Sequence, residues 1–134
     1  MTGAVIAAAG VSSQLGSSGT VVPSPTPVWV NIFGVDSATT NSQTISGITT
    51  PITISLANSG SGALFYGVNG VWTFYTGAFT VHVGDILAFS ISVGNAVESG
   101  AITVTNVSNG SATLATIAYV VKSSGGGGGR GNLP

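Results

Sequence analysis

The sequence carries very little charge. Formal charges fall on five of the 134 residues, namely Asp36, Asp85, Glu98, Lys122 and Arg130, whereas about a quarter of the residues of a typical soluble domain are charged. A net charge of −1 provides almost no long-range repulsion between copies of the chain. Hydroxyl groups, amides and glycine must therefore keep the surface hydrated. We expect the chain to function in contact with other protein molecules.

Cysteine is absent, which excludes disulfides, thiolate chemistry and cysteine-ligated metal sites. Lysine and arginine are nearly absent as well, and nucleic acid is excluded as a partner because phosphate contacts need several of them. The apolar run Ala4 to Ala9 is far shorter than the roughly 20 residues of a membrane-spanning helix. It also lacks the preceding positive segment of a secretory signal, so neither a membrane span nor a signal is expected.

Groups that carry out enzymatic chemistry are equally scarce. His82 is the one histidine, and alternation along residues 79–83 places it on the solvent side of a strand. Asp85 follows the next glycine and is expected to accept backbone N–H hydrogen bonds in a turn. A calcium site built from Asp36, Asn41 or Asp85 lacks the Asp-x-Asp-x-Asp-Gly pattern. No residue is assigned a catalytic, cofactor-binding or metal-binding role, and the chain is predicted not to be an enzyme.

Composition divides the chain into three parts. Residues 1–27 are small and polar, and prolines at the alternate positions 23, 25 and 27 favour an extended N-terminal arm. Residues 28–121 hold nearly all the aromatic and β-branched residues and are predicted to form one β-domain. Residues 122–134 contain five consecutive glycines, which predicts a flexible C-terminal tail.

The central part is predicted to be all β, because short runs of period-two alternation recur between turn signals and no helical period is sustained. The candidate strands are Val28–Val35, Gln43–Ile48, Pro51–Ala57, Ala63–Val68, Val71–Thr76, Ala78–Val83, Ile86–Val93, Ala101–Val107 and Ala112–Val121. Between two of them, Asn69-Gly70 is a two-residue hairpin signal, since both positions of a type I′ turn need positive φ. This spacing predicts an antiparallel β-sandwich, Ig-like or jelly-roll-like, with a barrel as the alternative.

Aromatic residues concentrate around that hairpin. The cluster comprises Phe65, Tyr66, Trp72, Phe74, Tyr75 and Phe79. Alternation places Trp72 and Phe74 on one side of their strand and Tyr75 on the other. Most of the cluster is expected to lie in the core, and any exposed remainder would offer a surface to sugar or to partner protein.

Several segments resemble the small Ig-like β-sandwich domains of tailed-bacteriophage virion proteins. The resemblance is carried by residues 29–32, 41–48, 79–89 and 104–108, including the pattern Phe-Thr-Val-x-Val-Gly-Asp-x-Leu-x-Phe that begins at Phe79. It covers roughly residues 28–121 and is one of style, without a diagnostic motif. The family has no catalytic residues to carry over.

The resemblance implies a protein of the capsid-decorating, fibre or tail-associated kind. We therefore expect a non-enzymatic virion structural protein, assembled in the host cytoplasm in many copies through its β-domain and N-terminal arm. Its partners would be copies of itself and other virion proteins, without nucleic acid or membrane. Similar sequence patterns occur in bacterial surface repeats, so a carbohydrate-binding adhesin or cell-surface module that binds host surface glycans is the alternative.

Overall fold

The computed structural model describes residues 19–94 and 97–123, which form short strands joined by tight turns. The strands are β1 Ile32–Val35, β2 Ser37–Thr39, β3 Gln43–Thr44, β4 Ile52–Asn58, β5 Ala63–Val68, β6 Val71–Phe74, β7 Phe79–Val81, β8 Ile86–Ser92, β9 Glu98–Asn106 and β10 Ala112–Lys122. One turn of 3-10 helix, Val107–Asn109, precedes β10. Within the described residues there is no α-helix, and none of their helices could cross a membrane.

The strands form two sheets packed against each other, which confirms the predicted β-sandwich. The first sheet has the order β6-β5-β8-β2, and β3 pairs with β8 beside β2. The second sheet has the order β1-β10-β9-β4-β7, and the antiparallel pair Val35–Ser37 between β1 and β2 links it to the first sheet in one continuous path of paired strands. Every pairing is antiparallel except that of β1 with β10, which is parallel. This pairing departs from the predicted antiparallel sandwich.

Asp36 joins the two sheets at the corner where β1 of the second sheet leads into β2 of the first. Its backbone has a left-handed φ of 64°, which lets the chain turn within a single residue. Its N–H donates to the carbonyl of Lys122 at 2.6 Å, and its own carbonyl accepts from the N–H of Val93 at 2.8 Å. One residue thereby hydrogen-bonds to the ends of strands in both sheets.

The core is built from the alternating apolar positions of both sheets. In β8, Leu87, Phe89 and Ile91 are fully buried, while Ser90 and Ser92 on the opposite side stay partly exposed. From the second sheet, the buried apolar members are Ile32, Ile52, Ile54, Leu56, Val81, Ile102, Val104, Ile117, Tyr119 and Val121. Burying each large aliphatic side chain contributes about 1.5–3 kcal/mol, so this interior is the main source of stability.

Trp29 lies in the same core, just before β1. Its indole N–H donates to the carbonyl of Leu87 at 2.8 Å, and its ring meets Phe89 edge-on with centroids 5.0 Å apart. The buried indole therefore keeps its one polar group satisfied while contributing a large apolar surface.

The second part of the predicted arm lies against its own domain. The N–H of Ser24 donates to the carbonyl of Ser46 at 2.8 Å, and the side-chain amide of Asn106 donates to the carbonyl of Val21 at 2.8 Å. Pro23 and Pro27 are buried. Residues 1–18 of the arm and residues 124–134 of the predicted glycine-rich tail lie outside the described residues, and Lys122 belongs to β10.

Every predicted run overlaps an observed strand, but the first strand begins four residues later than predicted, at Ile32 rather than Val28, and β9 begins three residues earlier, at Glu98 rather than Ala101. The preceding backbone is held by side chains instead of by a strand. The N–H of Val28 donates to Gln43 Oε1 at 3.0 Å, and the N–H of Val30 donates to Asn41 Oδ1 at 2.8 Å. Strand β2 lies in a polar stretch without alternation and was not predicted.

Candidate functional site: an exposed aromatic face

Three aromatic side chains stand on the outer face of the first sheet. The pairing of Phe65 with Phe74 and of Gly67 with Trp72 places all four positions on the side of the sheet that is opposite to buried Leu64. Trp72 and Phe74 are 47% and 53% exposed, and Phe65 is half-buried. We call Phe65, Trp72 and Phe74 the aromatic face.

The prediction that the hairpin aromatics lie mostly in the core is wrong for this face. The inner side of the hairpin is already filled by Leu64 and by the half-buried rings of Tyr66, Tyr75 and Phe79. Tyr66 stacks on Phe79 with centroids 3.8 Å apart and the rings nearly parallel, at 3°. Trp72 and Phe74 therefore face outwards, although alternation did place them together, as predicted.

The indole of Trp72 lies flat on the sheet because Gly67 leaves room for it. A Cβ atom at Gly67 would lie 3.0–3.1 Å from three atoms of the indole, which means that the ring covers the glycine with its face. Gly67 is itself buried beneath it. The opposite face of the ring is open to solvent, and the rings of Phe65 and Phe74 meet edge-on beside it with centroids 5.4 Å apart.

A second exposed apolar surface lies on the outer face of the other sheet. Phe33 pairs in register with Val120, and Val35 with Lys122, so that Phe33, Val35 and Val120 share one side of β1 and β10. Phe33 is 70% exposed and is the most exposed aromatic side chain of the described residues. We call Phe33, Val35 and Val120 the β1 patch.

Asn69 and Gly70 form the predicted type I′ turn at the tip of the β5–β6 hairpin, with φ of 54° and 85°. The side chain of Asn69 anchors this turn to the start of β8. It donates to Asp85 Oδ1 at 3.0 Å and accepts the N–H of Ile86 at 2.9 Å. The hairpin that carries the aromatic face is therefore held at its tip by an amide–carboxylate contact.

Asp85 has the predicted role in its turn. Its Oδ2 accepts the backbone N–H of His82 at 2.8 Å, and this bond is the largest influence lowering the pKa of the Asp85 carboxyl below its ordinary value. The hydrogen bond from Asn69 and the His82 side chain lower that pKa further, while burial opposes the shift. The His82 imidazole is exposed, as predicted, with Nδ1 3.6 Å from Asp85 Oδ2.

The histidine lies beside a shallow pocket lined by residues 49–51, His82 and Val83. The hydroxyls that line the pocket are those of Thr49 and Thr50, and Thr49 Oγ1 accepts the N–H of Thr20 at 2.6 Å.

A further carboxylate of the described residues, Glu98 in β9, accepts a hydrogen bond from the hydroxyl of Ser61. Over residues 19–94 and 97–123, no group of three or more histidine, aspartate or glutamate side chains is placed to hold a metal ion.

No protein-family model matches the chain, and no curated protein matches it. Among solved structures, the crystal structure of a FixG-related protein from Vibrio parahaemolyticus matches 66% of this chain and 77% of its own, with 10% sequence identity and a TM-score of 0.40. A similarity of that degree carries no argument about function. The resemblance to phage virion domains therefore stays a prediction.

Proposed function

We propose that this chain is a non-enzymatic structural subunit of a tailed bacteriophage, attached to the capsid or tail in many copies. The observation that carries the proposal is the presence of two exposed apolar surfaces on opposite outer faces of one small domain. Exposed apolar patches are uncommon on monomeric proteins and mark sites of contact with other proteins, and two of them on opposite faces fit a subunit with neighbours on two sides.

The two surfaces are suited to protein contacts in composition as well as position. The aromatic face contains no charged residue, and the β1 patch has Lys122 at its border. Aromatic side chains in the absence of charge are typical of the buried centre of protein interfaces. The scarcity of charge over the whole chain supports the same reading, because it leaves neighbouring copies free to approach.

The virion assignment itself draws on the resemblance of the strand and turn sequences to phage domains. The described part of the arm, residues 19–27, contacts its own domain, so contacts from the arm to a neighbour would come from residues 1–18. A capsid-decorating or tail-associated position is compatible with a sandwich that presents one apolar face to the particle and the other to an adjacent subunit.

Rebinding to particles tests this proposal. Particles produced without this gene are mixed with purified chain, and the chain that sediments with them is measured. We expect the wild type to bind, and Phe33→Ser and Phe74→Ser each to weaken binding at least about tenfold, the loss of one well-packed interface aromatic. Val107→Ser is the matched control, since Val107 is an exposed apolar residue, at 40%, outside both surfaces. A wild-type chain that never sediments with the particles would refute the virion role.

A carbohydrate-binding role is the second candidate, and the flat indole of Trp72 is the observation that favours it. An aromatic ring with one open face provides a platform for the apolar face of a sugar ring, and hydroxyl groups nearby can orient it. Ser90 and Thr39 lie on the same outer face, next along the sheet from Phe65. Screening of the wild type and Trp72→Ala on immobilised glycans tests this role, and equal signals from both proteins would exclude the aromatic face as the sugar-binding site.

A further inference from the structure

The edge strand β6 has hydrogen-bonding groups that face away from the sheet. Tyr75 N–H donates to the carbonyl of Leu64 at 2.9 Å, which makes positions 64 and 75 a hydrogen-bonded pair. Because such pairs alternate along an antiparallel ladder, Thr73 bonds towards Tyr66 while Trp72 and Phe74 direct their N–H and C=O groups outwards. Within residues 19–94 and 97–123, β6 pairs with β5 alone.

This edge lacks the devices that usually prevent strand pairing. Proteins protect edge strands with charged side chains, proline, bulges or a covering segment. Strand β6 contains no charged residue and no proline. It pairs with β5 without a register shift, and all four of its residues are exposed. The other edge, β7, is shorter and is followed directly by His82 and the Asp85 turn.

We propose that β6 pairs with β6 of a second copy of this chain, antiparallel, about a twofold axis that passes beside Thr73. In that register, Trp72 lies opposite Phe74 of the partner subunit, and Phe74 lies opposite Trp72 of the partner subunit. Each outward N–H then meets an outward C=O, so the edge is complementary to itself without any shift. The inference rests on the proposed assembly function and names the partner at one of its surfaces.

The side chains agree with this register. Thr73 would face Thr73 of the partner subunit at a non-hydrogen-bonded position, where opposing Cβ atoms approach to about 4.5–5.5 Å and threonine pairs are favourable. On the outer face, each tryptophan would meet a phenylalanine across the new strand pair, another favourable combination. The two aromatic faces would become one continuous apolar strip, and a net charge of −1 per chain opposes this contact only weakly.

Cysteine cross-linking tests the register directly, because the chain has no cysteine of its own. In Thr73→Cys, two thiols would face each other across the axis in a geometry close to that of a disulfide. Thr80→Cys is the matched control, since Thr80 is also an exposed threonine in an edge strand. Under mild oxidation at micromolar protein, we expect Thr73→Cys to form a covalent dimer at least about tenfold faster than Thr80→Cys, because pairing raises the local thiol concentration.

A charge placed on the axis gives an independent measurement. Thr73→Lys would bring two ammonium groups face to face, whereas Thr80→Lys adds the same charge elsewhere. We expect sedimentation velocity to show that Thr73→Lys raises the dimer dissociation constant at least about tenfold and that Thr80→Lys leaves it near the wild-type value.

The outcomes separate the inference from the function on which it rests. If larger assemblies persist but Thr73→Cys does not cross-link to itself, the twofold pairing is wrong and assembly uses another surface. If Thr73→Cys couples instead to Ala7→Cys on a second chain, the edge binds a neighbour's arm and the pairing is again wrong. If the wild type stays monomeric at every concentration and also fails to bind particles, both proposals are overturned.

Discussion

The phenolic hydroxyl of Tyr119 donates a 2.6 Å hydrogen bond to Oδ1 of Asn58 at the edge of the core. The same oxygen accepts the N–H of Gly60 at 2.9 Å, and the Asn58 amide donates to the carbonyl of Gly62 at 2.7 Å. Tyr119 in the last strand thus fixes the loop between β4 and β5. That loop leads directly into the hairpin of the aromatic face.

Tyr119→Phe is expected to lower the free energy of unfolding by about 1–1.5 kcal/mol, because one net hydrogen bond is lost while Asn58 keeps its backbone partners. Tyr66→Phe is the control, since the described residues provide no hydrogen bond to the Tyr66 hydroxyl, and it should change stability by less than about 0.5 kcal/mol. Urea denaturation followed by circular dichroism measures both. Equal losses in the two variants would show that the bond to Asn58 contributes nothing.

Two substitutions at Asn69 separate backbone conformation from side-chain bonding. Asn69→Gly keeps the positive φ and removes the bonds to Asp85 and Ile86, so we expect a loss of about 1–2 kcal/mol. Asn69→Ala removes the same bonds but, unlike the glycine variant, keeps a Cβ in the left-handed region, without the local hydrogen bonds that let asparagine adopt it, which costs about 1 kcal/mol more. Chemical denaturation of the two variants gives the difference. A more stable alanine variant would contradict the assigned turn.

The lowered pKa of Asp85 predicts a pH dependence of stability. A carboxyl whose pKa is lower in the folded than in the unfolded chain stabilises the fold above its unfolded pKa, here near the ordinary value of 3.8. That contribution disappears as the pH falls through the folded pKa. Asp85→Asn should therefore have a lower free energy of unfolding than the wild type at pH 7, and this difference should shrink as the pH falls below about 4. Denaturation at a series of pH values measures the difference.

His82→Ala identifies the cause of that shift. The variant removes the imidazole but keeps the backbone N–H, which is the main influence lowering the pKa of Asp85. We expect NMR titration of the Asp85 carboxyl to give a pKa still below the ordinary value in His82→Ala. A return to the ordinary value would mean that the imidazole, and not the turn, holds the carboxylate.

Gly47→Ala tests the attachment of the arm to the domain. Gly47 has a φ of 79°, and an added Cβ would lie 2.7 Å from the backbone oxygen of Ser24. Gly84 has a similar φ of 89° but open space around it, so Gly84→Ala costs only the backbone strain of about 1–2 kcal/mol. We expect Gly47→Ala to cost at least about 1 kcal/mol more, from overpacking. Faster proteolysis within residues 19–27 of Gly47→Ala would show that the lost stability comes from weaker attachment of the arm to the domain.

Local patterns in the sequence predicted the sandwich, because alternation and turn residues act over a few positions. The Asn69-Gly70 turn and the solvent-facing His82 are examples. Strand β2 was not predicted since its pairing with β8 depends on the corner at Asp36, which is a property of the tertiary structure. Alternation also could not decide which side of the hairpin faces the core. A signal was available, however: Gly67 and Trp72 are equidistant from the turn, and a glycine opposite a tryptophan indicates a ring lying on the outer face.

The different surroundings of the two tryptophans give the protein two optical probes that report on different events. Trp29 is 4% exposed and should be protected from an ionic quencher such as iodide until the core opens. Trp72 should be quenched in the native protein and should lose that sensitivity when a partner or a sugar covers its ring. Fluorescence of Trp72→Phe would then follow unfolding alone, and fluorescence of Trp29→Phe would follow what binds to the aromatic face.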